Sequence, residues 1–255
     1  MRLRHASSMT RGTQPIPASQ GAQTLSVGIF DVDGVLLASP HERAWREALE
    51  DPADEACFTT AMYQSQVAGK PRFAGALAAL QALGRPHADQ QAARYAERKQ
   101  RRLEELIRTG AVNAFPDALR FVRAVMALGW PMAVASSSKN ANEMMKLVRL
   151  DTDHTLLDVF GSNVCGRDLK QGKPNPEIFL LAAADLLAAP RNCFVVEDAP
   201  AGIEAACAGG MTGLGVARLH DAASLRAAGA SLVVTSLDEV SINDLARGRL
   251  CRRLP

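Results

Sequence analysis

Short apolar runs that stop at polar residues recur along the chain. Leu25–Phe30 runs into Asp31, Pro131–Ala135 into Ser136, and Cys193–Val196 into Glu197 and Asp198. Gly213–Val216 and Leu232–Val234 are runs of the same kind. Such runs, bounded by turn residues, fit strands buried on both faces. Between them, Ala118–Leu128 and Glu177–Leu187 carry apolar residues at helical spacing. A further helix starts near Ala201 and stops at Gly209-Gly210, where glycine suits a C-terminal cap. Strands alternating with helices predict an α/β fold, a Rossmann-like doubly wound parallel sheet.

Residues 39–115 break that rhythm. They show no strand pattern, and the spacing predicts helices over His41–Leu49, Ala74–Leu83 and Asp89–Thr109. The last of these bears Arg94, Arg98, Lys99, Arg101 and Arg102. A helical block inserted after the first strand predicts a cap over the crevice at the carboxyl ends of the strands. The expected division is a core over 25–38 and 116–245, a cap over 39–115, a disordered extension over 1–24, and a frayed tail over 246–255.

Composition narrows the classes. The 255 residues, 47% of them hydrophobic, suffice for a core domain with an insert. Lys+Arg is 29 and Asp+Glu is 27, so charge gives no argument for a nucleic-acid partner. No apolar run approaches the roughly 20 residues of a membrane span. The cysteines (Cys57, Cys165, Cys193, Cys207 and Cys251) form no C-x-x-C pair and read as free thiols of a reducing compartment, the cytoplasm. Residues 1–24 hold Arg2, Arg4 and Arg11 with Ser and Thr but no acid. They read as a plain extension, with a transit peptide as the alternative. A monomer is the default.

Four motifs fall at or near strand ends. In Asp31-Val32-Asp33-Gly34-Val35, two carboxylates two apart on an extended segment point the same way, and Gly34 allows a sharp turn behind them. Such a pair asks for a hard, oxygen-binding cation such as Mg²⁺. A calcium loop does not fit: Val35 stands where a ligand is needed and Leu36 where the glycine is required. Ser136-Ser137-Ser138-Lys139-Asn140 offers hydroxyls and N–H groups for an anion, or simple helix capping. Gly172-Lys173-Pro174-Asn175-Pro176 holds a lysine in a stiff loop before a helix, either for a phosphate and a carboxylate or as a surface turn. Glu197-Asp198 sets adjacent acids at a strand end. A helix N-terminus accounts for one of them more readily than for two.

Taken in order, D-x-D-G-V, S-x-S-K-N, G-K-P-x-P and E-D-x-x-x-G resemble the motifs of the haloacid dehalogenase superfamily, from about Leu25 to about Val240. The resemblance implies that Asp31 attacks phosphorus to form an aspartyl phosphate. It further implies that Asp33 is the general acid/base, and that Ser136 and Lys173 bind the phosphoryl oxygens. Mg²⁺ is implied to sit at Asp31, Asp33 (through its carbonyl) and Asp198, with Glu197 close to or on the metal. The second acid, Asp33, points to a phosphoryl-transfer member.

Within the superfamily the chain is similar to the β-phosphoglucomutase group. That likeness marks His41 as a cap-hinge histidine, Arg72 as the holder of a non-reacting phosphate, and Lys99 as a cap lysine. Ser137, Ser138, Lys139 and Asn140 become a substrate-gripping loop. The loop Leu36–Pro40 is shorter than the mutase pattern, and Gly69-Lys70-Pro71-Arg72 replaces its cap signature. The expectation is therefore a phosphatase for a small, sugar-like phosphorylated metabolite. A hexose-phosphate mutase is the alternative. A non-catalytic regulator of the same fold is a further one, disfavoured because all the acids are present.

Overall fold

The computed structural model describes residues 24–219 and 221–254; the basic N-terminal extension lies outside them. The chain opens with strand β1 (Val27–Phe30) and passes through a two-residue strand β2 (Leu37–Ala38) into the cap. The cap helices are α1 (His41–Glu47), α2 (Pro52–Cys57), α3 (Thr60–Met62), α4 (Arg72–Ala82) and α5 (Ala88–Arg108). A π-helical turn, Tyr63–Val67, follows α3. The chain returns through β3 (Asn113–Ala114) and then alternates: α6 (Pro116–Ala127), β4 (Met132–Val134), α7 (Ala141–Lys146), β5 (Ser162–Asn163), α8 (Glu177–Asp185), β6 (Cys193–Glu197), α9 (Pro200–Ala208), β7 (Thr212–Val216), α10 (Ala222–Ala227), β8 (Leu232–Val234) and α11 (Ile242–Leu245).

Six strands pair in parallel in the order β5-β4-β1-β6-β7-β8. Side chains of a strand alternate between faces, and here each face meets its own helices. Val27, Ile29, Ala133, Ala135, Cys193 and Val195 pack with Phe179 and Ala182 of α8 and Ala205 and Ala206 of α9. Phe30, Met132, Val134, Phe194 and Val196 pack with Phe121, Val122 and Val125 of α6 and Met144 and Met145 of α7. Being covered on both sides is why these strands read as unbroken apolar runs. On the second face Phe30 meets the rings of Phe121, Phe160 and Phe194 edge-on, with centroids 6.1, 5.8 and 6.0 Å away.

The cap closes a hydrophobic core of its own, with Trp45, Phe58, Leu80, Ala92 and Tyr95 buried together. The Tyr95 hydroxyl donates to the Trp45 carbonyl at 2.7 Å, tying α5 to α1. The two chain crossings between cap and core run side by side, because β2 and β3 form an antiparallel ribbon, Leu37 opposite Ala114. No strand was expected inside 39–115, yet Asn113–Ala114 is one. Two residues carry no periodicity to read, and the same holds for β5.

The tail also differs from the frayed end expected of 246–255. Leu25 N–H donates to the Gly248 carbonyl at 3.0 Å, and Ser241 N–H to that of Cys251 at 2.9 Å. The Arg252 guanidinium reaches the Val233 carbonyl at 2.7 Å. Backbone pairing, invisible in an arginine-rich sequence, holds this segment against the core. Among the described residues no helix is long and apolar enough to cross a membrane.

Phe194 is fully buried, with Phe30, Phe121 and Trp130 around its ring. Phe194→Ala is expected to lower the unfolding free energy by about 3–5 kcal/mol, a cavity effect readable by denaturant titration.

Candidate active site

The site is assembled where β1, β4 and β6 end. Asp31 follows β1 directly, and its N–H donates to the Val196 carbonyl of the neighbouring strand at 3.0 Å. The loop before α8 brings in Lys173, whose ammonium donates to Asp31 Oδ1 at 2.6 Å and to Glu197 Oε1. Glu197 ends β6, and its other oxygen accepts the N–H groups of Asp198 and Ala199 at 3.1 and 3.2 Å. The three charged side chains are only 8% (Asp31), 4% (Lys173) and 1% (Glu197) exposed, and the Phe179 ring lies 5.0 Å below the lysine. Burial pushes the Asp31 carboxyl up to about 8 against the pull of Lys173, and the charges of Glu197 and Asp33 add to the rise. Burial opposes the charge on Lys173, but Asp31 and Glu197 outweigh it and raise its pKa.

Asp198 sits beside this pair. Burial, then Glu197 and Asp31, drive its carboxyl well above the ordinary range. One oxygen each from Asp31, Glu197 and Asp198 lies within 4.8 Å of the others. Two buried acids and a half-buried one face a single lysine, and their all-oxygen donor set suits a hard divalent cation such as Mg²⁺. Glu197 has both oxygens engaged, so Asp31 and Asp198 are the freer donors.

Two glycines make the packing possible. Gly34 has φ +79°, and a Cβ there would stand 1.8 Å from Asp198 Oδ2. A Cβ on Gly202 of α9 would stand 1.9 Å from the carboxyl carbon of Glu197. Both positions admit only hydrogen, which lets the two acids lie against backbone.

Asp33 points elsewhere, toward the cap. Its Oδ2 is 3.6 Å from His41 Nε2, and its buried Oδ1 has no hydrogen-bond partner among the described residues. His41 starts α1, and Lys99 of α5 reaches its Nδ1 at 2.8 Å. Burial outweighs the opposing pull of Asp33 and, with Lys99 adding to it, lowers the His41 pKa to about 4, so the ring is neutral near pH 7. Burial takes Lys99 down to about 8, which leaves it largely charged. With Lys99 donating to Nδ1, the ring proton sits on Nε2. It faces Ser138 Oγ at 3.2 Å as well as Asp33.

The crevice between core and cap encloses about 400 Å³. All the residues singled out by sequence line it: Asp31, Asp33, His41, Arg72, Lys99, Ser136, Ser137, Ser138, Lys139, Asn140, Lys173, Glu197 and Asp198. Their surroundings differ. Ser136 is buried and its hydroxyl accepts the Ser138 N–H at 3.1 Å, whereas Ser137 and Arg72 are exposed. Lys139 pairs with Asp168 at 3.0 Å on the rim. The helix after the serine loop starts only at Ala141, so the loop does not present Ser136 at a helix N-terminus. Asn140 instead meets Gln100 of α5, 3.1 Å from Gln100 Nε2. Trp45, Tyr63, Gln64, Gln100 and Arg218 also line the crevice, and none belongs to a motif. The π-helical turn carrying Tyr63 and Gln64 is the sort of irregularity found at functional sites, but no pattern in the sequence announces it.

Fold and site together define a capped α/β enzyme of the phosphohydrolase or phosphomutase kind. The chain belongs to the haloacid dehalogenase-like hydrolase family, whose model matches residues 27–210. It is 32% identical over 241 residues to a β-phosphoglucomutase of Mycobacterium bovis, covering 83% of this chain and 90% of that protein. It is 30% identical over 211 residues to a phosphorylated carbohydrates phosphatase of Thermotoga maritima, covering 81% and 92%. Among solved structures, the archaeal β-phosphoglucomutase of Pyrococcus sp. strain ST 04 aligns with a TM-score of 0.68 and 31% identity over 86% of this chain and 96% of that one.

Gly202→Ala is expected to leave a folded protein in which Glu197 is pushed off Lys173. Activity should fall at least about 100-fold, as when a positioning contact is lost, and the thermal unfolding midpoint should fall with it, because a buried ion pair is disturbed.

Proposed function

We propose that this protein is a phosphatase for a small, sugar-like phosphorylated metabolite, working through an aspartyl phosphate on Asp31. The observation that carries the reading is the contrast between the two aspartates. Asp31 is buried on Lys173 beside Glu197 and Asp198, while Asp33, two residues on, is turned to the crevice and the cap. One is seated on a lysine among groups that suit a phosphoryl, and the other is turned toward substrate to exchange a proton with it.

In the proposed cycle a carboxylate oxygen of Asp31 attacks phosphorus, and the P–O bond to the ester oxygen breaks. Asp33 gives its proton to that leaving oxygen. Asp33, now a carboxylate, takes a proton from water as that water attacks the phosphorus of the aspartyl phosphate, freeing inorganic phosphate and Asp31. Lys173 pulls against burial toward the nucleophilic carboxylate form of Asp31 and meets the phosphoryl oxygens, and the hydroxyl and N–H groups of the Ser136 loop receive them from the other side. Mg²⁺ bound at Asp31, Asp198 and the Asp33 carbonyl would neutralise charge on the transferring group. Glu197, with both oxygens engaged, orients Lys173 at the edge of that site. His41, Lys99, Arg72 and the residues Ser137, Ser138, Lys139 and Asn140 are assigned to the substrate's sugar-like part.

The cap cations Lys70, Arg72 and Lys99, which line the crevice, favour a second reading, a hexose-phosphate mutase. Such an enzyme would hold a second phosphate there and return the phosphoryl to the sugar. The arbiter is incubation with β-glucose 1-phosphate, Mg²⁺ and trace bisphosphate. Free phosphate is expected, and glucose 6-phosphate without free phosphate would establish the mutase instead.

With a generic aryl phosphate, Asp31→Asn should reduce phosphate release by at least about 10³-fold. Activity surviving that change would sink the covalent route. Asp33→Asn should slow turnover by about 10²–10⁴ while Mg²⁺ binding, followed calorimetrically, stays largely intact. Chelation with EDTA is expected to abolish release, and added Mg²⁺ to restore it.

A further inference from the structure

Arg218 stands just beyond the end of β7, and none of the four motifs contains it. Its side chain is 15% exposed and committed in several directions at once. Nη1 donates to Asp117 Oδ2 at 2.7 Å, Nε to the Gly34 carbonyl at 3.3 Å, and Nη2 to the Val35 carbonyl at 3.2 Å. The guanidinium carbon lies 4.0 Å from the centre of the Phe115 ring.

Each partner belongs to a different part of the machinery. Gly34 and Val35 form the outer side of the turn that carries Asp33. The inner side is closed by Gly34 N–H on the Leu37 carbonyl and by Leu36 and Leu37 N–H on that of Val32. Phe115 lies on the returning crossing from the cap, and its N–H donates to Leu36 of the outgoing one at 3.0 Å. Asp117 stands in the first turn of α6 and is itself fixed, accepting Leu237 N–H at 2.8 Å and the Ser236 hydroxyl at 3.1 Å. Burial would raise the Asp117 carboxyl, but Arg218 and the Leu237 N–H hold it below its ordinary value. One planar fork therefore joins β7, α6, the returning hinge crossing and the turn that carries Asp33. Only arginine offers donors in that fixed spread together with a flat face for the ring; a lysine ammonium can serve one or two of these partners but not all.

We infer that Arg218 is a positioning residue. It holds the Asp33–Gly34–Val35 turn and the root of the cap hinge in one arrangement, so that Asp33 keeps its line to the crevice. Its kinetic consequence rests on the phosphoryl-transfer reading of Asp33, whereas its structural consequence does not.

The test measures both in Arg218→Lys. Hydrogen exchange followed by mass spectrometry should quicken about tenfold or more in segments 31–38 and 111–117, while β6 exchanges as in the unaltered protein. Turnover of an aryl phosphate should fall about tenfold or more with KM changed less than about threefold, the thermal midpoint moving only a few degrees. Asp117→Asn, whose side chain meets the turn through Arg218, should shift exchange in segment 31–38 by a smaller factor. Unchanged exchange there in both variants would overturn the inference. So would quickened exchange with kcat intact, or a kcat loss that merely follows exchange quickened throughout the sheet. A natural chain that releases no phosphate from any ester would sink the phosphatase reading instead, and the exchange result would then decide the fate of Arg218 by itself.

Discussion

Lys173 brings a buried ammonium between two carboxylates that arrive on different strands, Asp31 from β1 and Glu197 from β6. Removing any one of the three would leave an uncompensated charge in a dry setting, which destabilises strongly. The pairing of β1 with β6 fixes how far apart the two acids can be, and the loop before α8 is drawn in to place the lysine between them. Much of the surrounding detail follows from that requirement. Gly202 must be bare for Glu197 to lie on α9, and Gly34 must be bare for Asp198 to lie against the turn. Burial on both faces of the sheet supplies the rigidity that keeps these charges in place.

The cap answers with a quieter electrostatic design. His41 is neutral and Lys99 carries the charge, so the hinge side presents a donor to Asp33 and Ser138 without adding a second fixed cation beside the acid. Cap and core touch through polar contacts, Gln100 on Asn140 and His41 on Ser138, and also through Ala44, Leu103, Leu106 and Ile107, which are buried in one cluster with Leu36 and Leu37 at the hinge. The polar contacts face the crevice, while the apolar seam ties the root of the cap to the core.

The sheet and the acids at its strand ends were legible in the sequence for a physical reason. Strands covered on both faces must be continuously apolar, and carboxylates placed at their ends stand out against that background. The alternation of strands and helices, and the helical block after the first strand, were readable in the same way, whereas the order of the strands within the sheet was not. The hinge ribbon and β5 were not legible, because two-residue strands have no period. Arg218 was not legible either: a lone arginine after a strand looks like surface, and its partners lie about a hundred or more positions away in the chain. The C-terminal segment misled in the opposite way, since its arginines suggest a solvated end while its backbone is paired with the core. What sequence reads poorly here is whatever is held by backbone groups rather than by side-chain pattern.

The ribbon of β2 and β3 brings both junctions of the cap to neighbouring positions on one edge of the core, Leu37 facing Ala114. A module joined at two adjacent points can be exchanged for another with repair confined to the hinge and the apolar seam beside it. On the proposed reading, the part that chooses a substrate is thereby separable from the part that breaks the bond, and one contiguous segment of gene carries the choice of target.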